Sequence, residues 1–161
     1  MVLYFFFFAW VLLYVLSPKL QQDKKARALL FFFLCLFLCT GYMVGSDWVG
    51  YEEDYLYAAR GITLDERKEP GYGLFRSLFS KAGVDFWHFH IVTKIICFII
   101  TIKFYLKYAG KYYAWGLLYL YSHIFLHEFI NCPFRSIISA AILIIGLKAL
   151  LEGRKKQFLL L

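Results

Sequence analysis

Five apolar stretches alternate with polar stretches along this chain of 161 residues. As helices, these stretches are long enough, or nearly long enough, to cross the roughly 30 Å hydrocarbon core of a bilayer. We therefore predict an all-α, polytopic transmembrane helical protein that forms a single transmembrane domain over residues 1–161. The predicted spans are residues 2–16, 28–44, 86–106, 112–130 and 134–151.

The polar segment at residues 45–85 is the longest and carries most of the acidic residues. Within it we predict two short helices, residues 51–60 and 72–81, which end near Gly61 and Gly83. The second has an apolar stripe on one side, so we expect it to lie in the membrane interface rather than across the bilayer. This stripe consists of Leu74, Phe75, Leu78 and Phe79.

Basic residues cluster in three separate loops, at residues 17–27, 103–111 and 152–156. With five spans, all three loops fall on the same side of the membrane. Because lysine and arginine favour cytoplasmic loops, that side is predicted to be the cytoplasm. The amino terminus and the loop at 45–85 are then predicted to be extracytoplasmic.

Composition agrees with a membrane protein, since 61% of the residues are hydrophobic and the mean hydropathy is +0.61. The net charge of +7 does not predict nucleic-acid binding, because the basic residues lie in loops between apolar stretches, where they would contact the lipid bilayer. The cysteines suggest no disulfide framework. The chain ends in an apolar pattern at 157–161, which predicts truncation at the carboxyl terminus.

Asp47 follows Gly45 at the outer end of the second predicted span. A carboxylate that is partly desolvated there has a raised pKa and could act as a general base toward a sugar hydroxyl. The alternative is that Asp47 caps the next helix or is a boundary acid. Glu69 precedes a Pro-Gly turn and is a second candidate base, with a solvated loop acid as its alternative.

Arg135 lies in the first turn predicted for the fifth span, where Asn131 or Cys132 can cap the helix. A guanidinium beside free backbone amides is suited to a diphosphate. The alternative is an arginine whose side chain extends along the helix to reach water.

Lys94 lies about two turns inside the third span, which makes it a candidate functional residue, unless it extends outward to water. His123 and His127 have the i, i+4 spacing of metal ligands, and Glu128 follows them. No third ligand is evident, so we interpret the histidines as lining of an interior cavity, and we predict no metal and no cofactor.

The runs LFLCTGYMVGSDWVGY, EPGYGLFRSLF and NCPFRSIISAAI, followed by KKQF, resemble in motif and order the EpsG family of Wzy-like exopolysaccharide polymerases. The resemblance covers most of residues 34–158. It implies a membrane glycosyltransferase, similar to O-antigen polymerases, that joins oligosaccharide repeat units carried on undecaprenyl diphosphate. It also implies the bacterial cytoplasmic membrane as the location, and that the chain covers roughly the amino-terminal half of such a protein.

The motifs of that family fall on residues that the predicted topology puts at the outer side. The resemblance implies functional roles for Gly45, Asp47 and Tyr51 in the first motif, Glu69, Gly71 and Tyr72 in the second, and Asn131 and Arg135 in the third. On this basis Asp47 and Glu69 are the predicted catalytic residues. The predicted substrate-binding residues are Arg135, Asn131, Tyr51, Tyr72, Trp48 and Lys94.

An alternative is a non-enzymatic transporter or an assembly subunit of a polysaccharide export system, working with other polysaccharide assembly proteins. In the transporter, Lys94, His123 and His127 would line a path. That function depends on charges inside the membrane, whereas a polymerase depends on the outer loop.

Overall fold

A computed structural model describes residues 2–41, 43, 45, 47–61, 70–130, 134–155 and 158, with the backbone alone at 70, 123, 125, 127 and 128. This part of the chain is helical and contains no strand, which confirms the all-α fold. In chain order the α-helices are α1 (Val2–Leu16), α2 (Pro18–Gln22), α3 (Lys24–Cys39), α4 (Trp48–Ala59), α5 (Pro70–Lys81), α6 (Phe86–Tyr108), α7 (Tyr113–Tyr119) and α8 (Phe134–Leu151).

Two of these helices are long and apolar enough to cross a membrane. They are α6, with 23 residues, and α8, with 18 residues. The predicted third and fifth spans, 86–106 and 134–151, correspond closely to them. Helix α1 is apolar but has only 15 residues. A membrane-spanning helical protein is therefore confirmed, while the number of five spans stays a prediction.

Helix α3 is shifted toward the amino terminus relative to the second predicted span, residues 28–44. It begins after Asp23, whose side chain accepts a hydrogen bond from the Lys25 backbone N–H at 2.8 Å. It ends before Thr40, whose hydroxyl donates to the Leu36 carbonyl oxygen at 2.6 Å. Hydropathy located the apolar stretch, but these caps decide where the helix begins and ends.

The fourth predicted span, residues 112–130, consists of three kinds of helix. A 3₁₀ turn at Gly110–Tyr112 leads into α7, which continues as a π-helical segment at Leu120–Ile130. We call this last part the π segment. Nothing in the hydrophobic pattern distinguishes π from α geometry, so the change was not predicted.

Tyrosine hydroxyls connect this composite helix to its neighbours. The hydroxyls of Tyr14 and Tyr113 are 2.7 Å apart, and the Tyr105 hydroxyl donates to the Tyr113 carbonyl oxygen at 2.6 Å. The Tyr121 hydroxyl donates to the Tyr4 carbonyl oxygen at 2.9 Å. These bonds give Tyr14, Tyr105, Tyr113 and Tyr121 a structural role, because each ring packs in or against the core while its hydroxyl is satisfied.

The main core lies between α1, α3, α6, α7, the π segment and α8. Val11, Leu34 and Leu117 are fully buried there. By contrast, Phe5 and Phe32 are each more than half exposed. Exposed apolar rings on a membrane protein are suited to contact with lipid.

A second, aromatic cluster attaches α4 and α5 to the ends of α6 and α8. Tyr51 and Tyr55 of α4 pack with Phe86 and Phe89 of α6 and with Phe134 of α8. Both α4 and α5 were predicted, and they begin earlier than expected, at Trp48 and Pro70. The predicted apolar stripe of α5 does not face one environment. Phe75 and Phe79 pack on the cluster, whereas Leu74 and Leu78 are exposed.

Candidate functional site

A cleft of about 1170 Å³ lies between α6 and α8 and is lined at one end by α4 and α5. This volume is slightly above the usual range for small-molecule pockets. The end near α4 and α5 carries the polar groups, and the rest is mainly apolar. The lining residues are Asp47, Tyr51, Gly71, Tyr72, Phe75, Phe79, Val92, Thr93, Ile96, Cys97, Ile100, Arg135, Ser136, Ile138, Ser139, Ala141, Ile142 and Ile145.

Arg135 is held at the polar end by an aromatic ring. It belongs to the first turn of α8, and its side chain is exposed. Its Nε donates to the Tyr51 hydroxyl at 3.3 Å, and its guanidinium carbon lies 5.5 Å from the centroid of that ring. Contact with a tyrosine face stabilises the cation and limits its rotamers. The guanidinium therefore faces the cleft from a defined position beside a helix amino terminus.

Tyr72 lines the same end of the cleft. Its ring packs edge-on against Tyr51, with centroids 6.1 Å apart, and against Phe134. The hydroxyl oxygen is buried and has no hydrogen-bond partner within the described structure. Burial raises the pKa of Tyr72, so the group stays protonated at neutral pH. A buried hydroxyl that protein atoms leave unsatisfied is suited to bind a polar ligand.

Asp47 is brought into the cleft from the amino terminus of α4. It occupies the N-cap position, but its side chain makes no capping hydrogen bond, so the capping alternative is not observed. The residue is exposed, and the partial desolvation expected of its carboxylate stays a prediction.

Arg76 supports this arrangement and was not predicted as a site residue. It is 4% exposed, its Nη1 lies 3.4 Å from an Asp54 carboxylate oxygen, and its guanidinium carbon is 5.9 Å from the Tyr72 ring centroid. It therefore joins α4 to α5 behind a cleft residue. The i, i+4 spacing of Tyr72 and Arg76 on a helix was the signal that could have indicated this contact.

The apolar end of the cleft extends along α6 and α8. From Arg135 to Ile145 the axis of α8 rises about 15 Å. Along that length isoleucine is the commonest wall residue, and Thr93, Ser136 and Ser139 add small hydroxyl groups. The cleft thus combines a cationic and hydroxyl-bearing end with a long apolar groove, which is a shape suited to an amphiphile.

Other predicted site residues lie elsewhere or outside the described structure. The Trp48 ring packs against Trp87, with centroids 5.7 Å apart, and does not line the cleft. Lys94 lines a different cavity. Glu69 and Asn131 are outside the described residues, as are the side chains of His123, His127 and Glu128. In the part of the chain that is described, no three His, Cys, Asp or Glu side chains are grouped as metal ligands.

Comparison with known proteins agrees with the resemblance found in the sequence. The sequence model of the EpsG family matches residues 24–161, which is most of the chain and includes every described residue that lines the cleft. No curated protein and no solved structure shows significant similarity to the chain. The chain therefore belongs to the EpsG family, and this membership, together with its apolar helices, indicates a membrane protein of the polysaccharide polymerase type.

Proposed function

We propose that the chain is a glycosyltransferase that polymerises oligosaccharide repeat units carried on undecaprenyl diphosphate. It acts at the outer face of the bacterial cytoplasmic membrane, with its amino terminus outside, and its product is exopolysaccharide, capsule or O-antigen. One observation carries the proposal: residues from three distant segments meet at one end of an apolar groove. Membership of the EpsG family supports it further.

Arg135 binds the diphosphate of the donor. The helix dipole at the start of α8 adds positive potential beside its guanidinium. Tyr51 limits the motion of that guanidinium. Negative charge builds up on the diphosphate as it leaves, and a single well-placed donor of this kind contributes about 3 kcal/mol to transition-state stabilisation.

A carboxylate accepts the proton of the acceptor hydroxyl. The hydroxyl oxygen attacks the anomeric carbon of the donor saccharide, and a new glycosidic bond forms. The bond from that carbon to the diphosphate oxygen breaks, and its electron pair leaves with the lipid diphosphate. The proton goes to a carboxylate, for which Asp47 and Glu69 are the candidates.

The groove between α6 and α8 takes the first part of the prenyl chain. Its isoleucine-rich walls offer the apolar surface that a lipid tail needs, and the groove begins beside Arg135. A lipid diphosphate seated this way has its phosphates at the polar end, next to the reacting saccharide. Tyr51 and Tyr72 offer ring faces to the sugars, and Asn131 and Trp48 stay predicted contacts.

The test is the length distribution of polysaccharide in cells that depend on this protein for polymer synthesis. We expect Arg135→Ala and Asp47→Asn, at matched membrane abundance, to lower the polymerisation rate by about a hundredfold or more. Single lipid-linked repeat units should accumulate in both variants. Arg60→Ala and Glu53→Gln are matched controls, because both residues are exposed at α4 and neither lines the cleft.

Unchanged polymer in Arg135→Ala and Asp47→Asn would contradict the proposal. In that case a non-enzymatic transporter or an assembly subunit would be the better interpretation. Polymer that shortens equally in the two control variants would also contradict it, since the effect would then not depend on the cleft.

A further inference from the structure

Two arginines lie on two tyrosine rings that contact each other. The guanidinium carbon of Arg76 is 5.9 Å from the centroid of the Tyr72 ring. That of Arg135 is 5.5 Å from the centroid of the Tyr51 ring. The two rings pack edge-on, with centroids 6.1 Å apart. We call these four side chains the arginine-tyrosine row, which begins behind the cleft at Arg76 and ends at Arg135 in the cleft.

Arg76 is the buried end of the row. Its side chain is 5% exposed, and its Nη1 lies 3.4 Å from a carboxylate oxygen of Asp54, whose side chain is 45% exposed. Its Nε is buried and has no hydrogen-bond partner within the described structure. A buried cation needs a paired charge, so the ion pair with Asp54 and the contact with the Tyr72 ring hold this side chain in place.

The same two pairs of residues join α4 to α5. Tyr51 and Asp54 are three residues apart in α4, and Tyr72 and Arg76 are four apart in α5, so each pair lies along one side of its helix. The carboxylate of α4 meets the guanidinium of α5, and the two rings meet beside them. A change at the ion pair therefore changes how the two rings pack.

The row connects Arg76 to the binding cation of the cleft. Burial raises the pKa of Tyr72, while the charges of Arg76 and Arg135 act to lower it, so both cations are within electrostatic reach of one phenol. Tyr72 also packs edge-on against Phe134, the residue before Arg135, with centroids 6.2 Å apart. The Tyr72 ring thus reaches Arg135 through Tyr51 and through the first turn of α8.

We propose that Arg76 is a positioning residue for the diphosphate of the donor. Arg76 does not line the cleft, so it acts through the tyrosines, which it holds where Arg135 can lie on the Tyr51 ring. Its charge is paired with Asp54, and the cation that meets the ligand is Arg135. This inference rests on the proposed function, in which Arg135 binds the diphosphate.

The test is binding of undecaprenyl diphosphate to the purified full chain in detergent, measured by isothermal titration calorimetry. The titration gives both a Kd and the number of competent sites per chain. We expect Arg76→Met to raise the Kd about fivefold with the number of sites unchanged, because Arg135 is held less firmly. A merely structural role would lower the number of sites and leave the Kd unchanged. Lys81→Met is the matched control, since Lys81 is an exposed cation of α5.

A double variant tests whether Arg76 acts through Arg135. Arg135→Ala alone should raise the Kd about tenfold, through loss of charge-assisted hydrogen bonds to the diphosphate. Adding Arg76→Met to this variant should change the Kd by less than about twofold, because the side chain that Arg76 positions is already absent. Effects of the two substitutions that multiply would overturn the inference.

Asp54→Asn keeps the test decisive if Arg76→Met does not fold. It removes the charge partner from the half-exposed side and leaves Arg76 in place, so we expect the Kd to rise about two- to threefold. Glu53→Gln is its control, because Glu53 is an exposed acid of the same helix. An unchanged Kd in Arg76→Met and Asp54→Asn, with weak binding by Arg135→Ala, would overturn this inference and leave the proposed function intact. An unchanged Kd in Arg135→Ala would overturn both.

Discussion

Arg135 is positioned by the residue that precedes it. Phe134 is fully buried, and its ring contacts Tyr51, Tyr72 and Phe89. Burial of this ring fixes the first turn of α8, so the next side chain can remain exposed and still have a defined position. At this scale a neighbouring aromatic residue supplies the rigidity that a binding residue needs.

Tyr72 and Tyr55 form a matched pair for testing the role of a hydroxyl. The Tyr55 hydroxyl donates to the Val84 carbonyl oxygen at 2.7 Å, whereas that of Tyr72 has no partner among described residues. Tyr55→Phe should lower the free energy of unfolding by about 1 kcal/mol. Tyr72→Phe should leave it unchanged or raise it, because an unsatisfied buried hydroxyl costs about 1–3 kcal/mol.

Thermal unfolding in detergent measures both effects, and polymer length measures function. We expect shorter polymer from Tyr72→Phe despite its undiminished stability, since a ligand that shifts the neighbouring side chains can bond to the unsatisfied hydroxyl. A loss of stability in Tyr72→Phe equal to that in Tyr55→Phe would show that the Tyr72 hydroxyl is satisfied within the protein.

At the scale of elements, α6 begins at a well-formed cap. The Asp85 side chain accepts a hydrogen bond from the His88 backbone N–H at 3.1 Å, and its carboxylate also contacts the His88 ring. These bonds hold the pKa of Asp85 below its ordinary value of 3.8. The cap fixes where α6 begins, and residues of α6 line the cleft. This local hydrogen bonding therefore helps to position one wall of the site.

We expect Asp85→Ala to lower the free energy of unfolding at neutral pH by about 1 kcal/mol, through loss of the cap. Since the folded pKa is depressed, the stabilising effect of the charged form is present above the ordinary carboxyl pKa. It is lost as the pH falls through the folded value. The difference between the wild type and Asp85→Ala should therefore shrink in acid.

Asp85→Asn is the control for this prediction, because asparagine also caps helices but does not titrate. Its stability should stay close to that of the wild type at neutral pH. Unfolding curves recorded at several pH values test both statements. A difference between the wild type and Asp85→Ala that is the same at neutral and acid pH would contradict the proposed cause.

At the scale of the whole molecule, close packing of α6 on α7 depends on a missing side chain. A Cβ atom added at Gly116 would lie 2.0 Å from the Tyr105 hydroxyl oxygen. That hydroxyl is already held by its bond to the Tyr113 carbonyl oxygen. Since α6 lines the cleft on another face, the contact helps to fix one wall of the site.

Gly116→Ala should lower the free energy of unfolding by about 1–3 kcal/mol, because the tyrosine has to move. Tyr105→Phe in the same chain should recover part of this loss by removing the clashing oxygen. Gly50→Ala is the control, since nothing lies within 4 Å of its added Cβ. It should raise the free energy of unfolding by about 1 kcal/mol, because alanine is a better helix former than glycine. Thermal unfolding of the four chains measures this, and equal effects of the two alanine substitutions would contradict it.

The cleft residues could be predicted from the sequence as candidates for the site. That they lie next to one another in one cleft could not be predicted. The motifs contained Asp47, Tyr51, Tyr72 and Arg135, and the predicted topology put them on one side of the membrane. Their meeting in one cleft depends on the aromatic cluster that joins α4 and α5 to α6 and α8. Contacts of this kind link residues far apart in sequence, so no local pattern encodes them.

The sequence by itself determined the helical membrane class and the approximate positions of the helices, because burial in lipid requires continuous apolar stretches and satisfied backbone groups. Only the tertiary structure decided that Lys94 faces a cavity of its own, that Asp47 is exposed, and that Arg76 supports Tyr72. The physical reason is that hydropathy is a sum over neighbouring residues. A side chain's partners are instead chosen by packing between helices, which the sequence specifies only through the complete fold.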